Sequence, residues 1–260
     1  MTTLLADPYY SQSNAVFRRA TNQTEVMLDR LADHARDRGR LTILSVGSGV
    51  GLFELPMLTR LGEEGITVTR FVGVDPSAHA NAVLGHKLAD PGYKALDFEL
   101  VATPFETYDT EARFDMVLFN HVFEYLAGDP LTWVGKSLGL LADGGNVLVF
   151  SPNRGGINQI YQDVFTELVG EPPFFADDIE VMLDGSGIAF SMESMMAACD
   201  VSALQQIGED PEKLMLLSFL TQRDCRDVAS EVREDYVEYY LSLRQPGGSS
   251  IPHPVTLFVM

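Results

Sequence analysis

Cysteine is scarce: Cys199 and Cys225 are the only two in 260 residues. They carry no disulfide framework and no metal spacing, and a reducing cytoplasm is the compartment that fits. Long apolar stretches are missing as well. The longest, such as "MVLF" and "NVLVF", fall far short of the ~20 residues a membrane span needs. The opening "MTTLLADPYY" has neither a basic region nor an extended apolar core, so it does not read as a secretory signal. Positive charge is thin, 18 Lys+Arg against 37 Asp+Glu, a formal charge of −19. Phosphates would be repelled, which argues against a nucleic-acid partner. An acidic surface suits a cationic ligand modestly and, more generally, solubility. No His-x-x-x-His or other metal spacing occurs, nor any repeat or low-complexity tract. What remains is an ordinary globular balance, 46% apolar and 21% charged, long enough for one large domain or two small ones.

The patterning predicts an α/β protein. Phe17, Ala20, Thr24, Met27 and Leu31 follow helical spacing up to "DRGR". "LTILSV" reads as a buried strand, and Leu52, Leu55, Leu58 and Leu61 as a helix that tolerates Pro56 in its first turn. "ITVTRFVGVD", "DFELVA", "FDMVLF" and "NVLVFSPN" are four more strands, with "LTWVGKSLGLL" a helix and "ADGG" a turn before the last. Strands alternating with helices imply a parallel sheet covered on both faces. Beyond Pro152, "INQIYQDVFTELVG", "EKLMLLSFLTQ" and "CRDVASEVREDYVEYYLSLRQ" read as helices, "PGGSSIPHP" as a loop and "VTLFVM" as a final strand. We expect a single domain: residues 1–40 a helical cover, 41–152 a cofactor-binding core, 153–260 lid elements and final strands.

Between the first strand and the first core helix lies Gly47-Ser48-Gly49-Val50-Gly51. A glycine-rich turn there brings backbone N–H groups close to a ligand. Asp75, followed by Pro76, ends the second strand 75 − 51 = 24 residues after the last glycine, the place of a ribose-binding carboxylate. The G-x-G-x-G spacing departs from the dinucleotide G-x-G-x-x-G. Instead it resembles the class I S-adenosylmethionine-dependent methyltransferases over residues 40–152. That resemblance implies a Rossmann-like, mostly parallel seven-stranded sheet with a helical lid, and S-adenosylmethionine as cofactor. It also places Ala102 and Thr103 along the adenine edge and Phe105 against its face.

A second resemblance covers nearly the whole chain. "NAVFRRATNQTEVM", "LSVGSGVGLFELPMLTRL", "VLVFSPNRGGINQIYQDVF", "CDVSAL", "LMLLSFLTQ" and the late "VTLFVM" are similar in order and spacing to the histamine N-methyltransferases. In that family the glutamate matching Glu25 binds the substrate's cationic group. This sequence departs at His121, where the family has glutamine, at Glu124, where it has tyrosine, and near "HPVTLF", where it has an asparagine.

Asn120, His121, Glu124 and Tyr125 lie just past the fourth strand, where the crevice of an open α/β sheet opens. Asn120 is expected at the cofactor. If the turn is helical, His121 and Glu124 share a face, and His121 accepts a proton from an ammonium nucleophile with the carboxylate raising its basicity. Tyr9, Tyr10, Tyr161, Phe165, Phe174 and Phe175 form a candidate aromatic lid, with Tyr9, Tyr10, Glu25 and Tyr161 expected at the substrate. The leading expectation is methyl transfer to a small amine or related small-molecule nucleophile by a cytoplasmic monomer or homodimer. The alternative is self-cyclisation of S-adenosylmethionine to azetidine-2-carboxylate and methylthioadenosine; a third is a non-catalytic cofactor-binding protein.

Overall fold

The computed structural model describes residues 5, 8–125, 128–205 and 207–260. Among these, the elements are α1 (Tyr9–Ala20), α2 (Gln23–Ala35), β1 (Arg40–Val46), α3 (Glu54–Glu63), β2 (Thr67–Val74), α4 (Ala78–Leu88), β3 (Asp97–Val101) and β4 (Phe114–Asn120). There follow α5 (Pro130–Gly139), β5 (Leu141–Pro152), α6 (Gln159–Val169), α7 (Ala176–Ser186), β6 (Ser191–Asp200), α8 (Pro211–Thr221), α9 (Ser230–Ser242) and β7 (Ser250–Val259).

The seven strands form one sheet in the order β3-β2-β1-β4-β5-β7-β6. β1 pairs in parallel with β2 and β4, as do β2 with β3 and β4 with β5. Parallel neighbours need crossover connections, which put helices on both faces of the sheet. Val147 and Met260 exchange both backbone hydrogen bonds, at 2.9 and 3.0 Å, the signature of an antiparallel pair. The sheet is therefore mostly parallel, as expected. Its order reverses between β1 and β4, which makes that gap the topological switch point.

The chain divides into two compact units. One takes Met27–Ser151, Asp178–Glu193 and Thr256–Met260; the other takes Met1–Val26, Pro152–Asp177 and Ser194–Val255. This partition differs from the expected run of cover, core and lid. Residues 27–40, 178–193 and 256–260 belong with the core unit, because each contributes strand or helix packing there. In the core unit Ile43, Leu44, Phe71, Val117, Leu118 and Val147 are fully buried, each contributing ~1.5–3 kcal/mol. β1 is tied to β4 by a closed polar set: Thr42 donates its N–H (2.7 Å) and hydroxyl (2.8 Å) to Asp115, whose own N–H returns to Thr42 Oγ1 at 3.0 Å.

In the other unit, α1 packs along α8, with Phe17 stacked on Phe219 at 4.5 Å. Buried His253 is fully paired there. Thr21 donates its hydroxyl to the Ala198 carbonyl and so accepts from His253 Nδ1 (3.3 Å), while the Gln23 amide donates to Nε2 (2.9 Å).

Several sequence expectations need correction. The single N-terminal helix is two, because Thr21 turns extended and bridges to Cys199. "ADGG" lies inside β5, where a register shift opposite Phe114–Met116 absorbs the extra residues. The long acidic helix begins only at Ser230, after a short 3-10 turn at Cys225–Asp227. The final strand starts at Ser250, within the expected loop. Helices α4 and α7 and strand β6 were not anticipated at all.

Candidate functional site

The glycine loop leaves β1 directly at the switch point. Gly47, Gly49 and Gly51 all have positive φ, at 68°, 52° and 80°, a region costly for residues with a Cβ. Their surroundings differ. A Cβ at Gly47 would lie 2.5 Å from Val122 Cγ2, and one at Gly51 would lie 2.5 Å from Leu84 Cδ1. At Gly49 a Cβ would meet nothing within 4 Å. Two glycines are thus required by packing, and the middle one faces open space.

The loop is braced from three sides. The Gly47 N–H donates to the Val74 carbonyl at 2.7 Å, tying the loop to β2. Asp75 accepts from the Gly49 N–H at 2.9 Å and from the Ser77 N–H at 2.8 Å, so one carboxylate fixes both the loop and the start of α4. From α4, Lys87 Nζ donates to the Val50 carbonyl at 2.8 Å and the Asn81 amide to the Asp75 carbonyl at 2.9 Å. Pro76 is exposed beside Asp75. Beneath the loop, Glu54 in the first turn of α3 is buried and accepts from Ser45 Oγ at 3.0 Å. A carboxylate there complements the positive end of the helix.

Across the switch point, the register Val46↔Phe119 sets Gly47 beside Asn120. His121 N–H still donates to the Phe150 carbonyl at 2.9 Å, but its φ of 53° swings the chain out of the strand. A short 3-10 turn, Phe123–Tyr125, follows. Phe123 anchors it edge-on to Phe119 (5.1 Å) and Trp133 (5.7 Å). This corrects the helical reading: His121 lies outside the turn in a left-handed conformation, so a shared helical face with Glu124 does not arise. Tyr125 is half exposed.

Glu124 is 9% exposed, and its Oε2 has no hydrogen-bond partner. Burial pushes its carboxyl up to about 7, partly offset by a hydrogen bond with its own backbone amide. Ser48 Oγ and Asn120 Oδ1 are likewise buried and unpartnered. Buried polar atoms normally find partners; these three lie on the segments that leave the carboxyl ends of β1 and β4.

The segment after β3 has one side open and one side packed. Ala102 is exposed and Thr103 half-buried, its hydroxyl 2.9 Å from that of Thr107. Phe105 is instead a core residue, 2% exposed, edge-on to Phe119 at 5.4 Å and beneath Lys136 Nζ at 4.8 Å. Its ring offers no open face to a base, because the 3-10 turn at Phe105–Thr107 tucks it inward.

Tyr9, Tyr10, Glu25 and Tyr161 all belong to the other unit. Tyr9 is buried under the Arg226 guanidinium at 3.7 Å, and Tyr10 tilts against Phe219 at 5.7 Å. Tyr161 packs edge-on to Phe165 (5.8 Å) and Phe175 (5.9 Å). Glu25 is exposed in the first turn of α2.

The sequence reading missed Glu54, Asn81, Lys87 and Val122. Glu54 carried a signal, a carboxylate two residues into an otherwise apolar helical stripe. The other three depend on tertiary packing. Among the described residues no group of three or more His, Cys, Asp or Glu is placed to hold a metal, and no helix is long and apolar enough to cross a membrane.

No curated protein matches the chain. Solved structures do. A S-adenosylmethionine-dependent methyltransferase from Geobacter sulfurreducens, in complex with S-adenosyl-L-homocysteine, is similar with a TM-score of 0.58 at 15% identity, covering 99% of each chain. YcgJ from Bacillus subtilis is similar at 0.56 and 12% identity, covering 89% of this chain and 96% of its own. Coclaurine N-methyltransferase, bound to N-methylheliamine and S-adenosylhomocysteine, is similar at 0.54 and 13% identity, covering 91% and 72%. These likenesses are of fold, and none bears on the closeness to histamine N-methyltransferases. The methyltransferase-domain family matches residues 17–179, more than half of the sequence. The chain belongs to that methyltransferase-domain family, whose cofactor is S-adenosylmethionine.

Proposed function

We propose that the β1/β4 switch point is where this chain transfers a methyl group from S-adenosylmethionine to a small amine. The observation that carries the reading is the pairing of Gly49 with Asp75. The first has a positive φ and opens onto free space, and the second is a carboxylate two hydrogen bonds deep in loop contacts. The residues fit the cofactor. Gly47, Ser48, Gly49 and Gly51 supply a close-approach backbone, and Asp75 with Pro76 a ribose-binding corner. Ala102 and Thr103 supply an edge for the base, and Asn120 with the orphaned Ser48 Oγ polar groups for the methionyl end. When bound, S-adenosylmethionine supplies an electrophilic methyl carbon on a positively charged sulfur.

The protein's share is positioning. Holding a nucleophile in line at ~3 Å converts a bimolecular step into a unimolecular one, worth up to ~7–11 kcal/mol. His121, Glu124 and Tyr125 stand at the acceptor side of β4, and we assign Tyr9, Tyr10, Glu25 and Tyr161 to acceptor binding. A formal charge of −19 supports a cationic acceptor over an anionic one. Nothing in the family or the matched folds favours self-cyclisation.

Product analysis tests this. The protein is incubated with S-adenosylmethionine alone and then with a panel of small primary and secondary amines, and the products are identified by mass spectrometry. S-adenosylhomocysteine and a methylated amine appearing only with the amine present is the expected result. Methylthioadenosine from the cofactor alone, above the buffer control, would overturn the reading.

A further inference from the structure

We infer that Glu124 selects a positively charged acceptor, its Oε2 taking an N–H of the incoming ammonium and then holding the proton that nitrogen must shed. The inference rests on the methyl-transfer reading and assigns the acceptor's charge to one named group.

Three observations carry it. Glu124 is nine-tenths buried, yet Oε2 has no donor. A buried carboxyl oxygen left this way is costly, and a ligand N–H removes the cost. Four residues earlier at the same strand end, Asn120 Oδ1 is also buried and unpartnered. Asn120 Oδ1 and the ionised Glu124 Oε2 are both acceptors, so the partner they lack is a donor; an ammonium has up to three N–H groups and no lone pair to repel them. Finally, the turn abuts the glycine loop: the Val122 side chain occupies the space a Cβ at Gly47 would need, and Phe123 is locked between Phe119 and Trp133. The carboxyl is thus held beside the loop we assign to the cofactor.

The backbone of His121 makes the bend, and Glu124, three residues on, brings an oxygen without a partner. In the proton step one N–H bond of the ammonium breaks, an O–H bond forms at Oε2, and the electron pair stays on nitrogen as the nucleophile. Burial already places this carboxyl at about 7, so it exchanges a proton near neutrality.

The test reads binding, not turnover. Protein saturated with S-adenosylhomocysteine is titrated calorimetrically with phenethylammonium against 2-phenylethanol, and with butylammonium against butanol. Wild type should bind each ammonium ion at least ~10-fold tighter than the matching alcohol, since a hydrogen bond to a charged group contributes ~1.5–3 kcal/mol. Glu124→Gln should erase that preference, Glu124→Asp restore part of it, and both keep the affinity for S-adenosylhomocysteine within about twofold. Thermal unfolding confirms that the variants fold. Equal binding of ammonium and alcohol in wild type, no binding of either ammonium ion, or an undiminished preference in Glu124→Gln overturns the inference. A Glu124-dependent preference without methyl transfer to any amine would uphold this site and overturn the methyl-transfer reading instead.

Discussion

Two buried titratable groups, one in each unit, are treated differently. In the core unit, parallel strands deliver chemistry to their carboxyl ends, and buried polar groups there are left unpaired: Ser48 Oγ, Asn120 Oδ1 and Glu124 Oε2. In the other unit the buried His253 is paired at both ring nitrogens. Unpartnered buried polar atoms occur in both units, Ser13 Oγ and Arg223 Nε in the second, so the contrast is between two buried titratable side chains: Glu124 keeps an oxygen without a partner and His253 has both ring nitrogens paired. A buried titratable group whose partners are complete gains nothing from a ligand, whereas one with an open oxygen does.

The largest effect expected from breaking this comparison lies in the glycine loop. Gly47→Val would force a branched side chain into both a positive φ and the space held by Val122. We expect a loss of about 3 kcal/mol or more in denaturant unfolding, with little soluble protein. A Gly47→Val protein with wild-type stability would mean that the loop is not packed as described.

Next come two opposite pH dependences of similar size. Burial lowers His253 to about 4, so its contribution to stability is full above its unfolded value near 6.5 and is lost as pH falls toward 4. Glu124 is raised to about 7, so the fold is favoured below the unfolded value near 4.5 and loses that advantage as pH rises to 7. Each spans about 3 kcal/mol. Unfolding curves from pH 4 to 8 check both signs. His253→Asn should flatten the acid side, and Glu124→Gln should gain stability over wild type above pH 7. A flat profile on either side would show that the group titrating there is solvated.

Asp75→Ala should weaken S-adenosylmethionine binding by ~10- to 100-fold, since both a charged acceptor and the brace on Gly49 are lost. Calorimetry measures this. The smallest effect is expected at Glu25, which is exposed on α2. Glu25→Ala should raise KM for the amine by no more than ~10-fold with kcat unchanged, and stability should move by less than ~0.5 kcal/mol.

The same contrast explains what the sequence revealed. Strands β1, β2, β4 and β5 are near-continuous apolar runs, and the glycine triplet sits at their junction, so the core fold and the loop were readable in chain order. The outer elements were not. "SMESMMAACD" is built from serine, methionine and alanine, which favour no strand, and β6 forms because the sheet has an edge to extend. "AHANAVLGHKL" contains a mid-helix glycine and a weak apolar stripe, yet Ser77 caps it through the Ala80 N–H at 3.1 Å. At the site, Asn120, His121 and Glu124 were visible as polar residues ending an apolar strand. The left-handed bend at His121 was not, since it arises from the hydrogen bond to Phe150 and the anchoring of Phe123. Phe105 misled for a similar reason: the sequence placed an aromatic after β3 but not which way the 3-10 turn would point it.

The central claim is that the open space above Gly49 seats the cofactor. Calorimetric titration of S-adenosylmethionine into wild type and Gly49→Val tests it most directly, because a Cβ at Gly49 meets no atom within 4 Å beyond its chain neighbours, so the added bulk should bear on the ligand. Thermal unfolding should show Gly49→Val folded, with a loss near the ~1–2 kcal/mol of a left-handed residue, while cofactor binding falls at least ~100-fold. A folded Gly49→Val protein that binds S-adenosylmethionine as tightly as wild type would contradict the account.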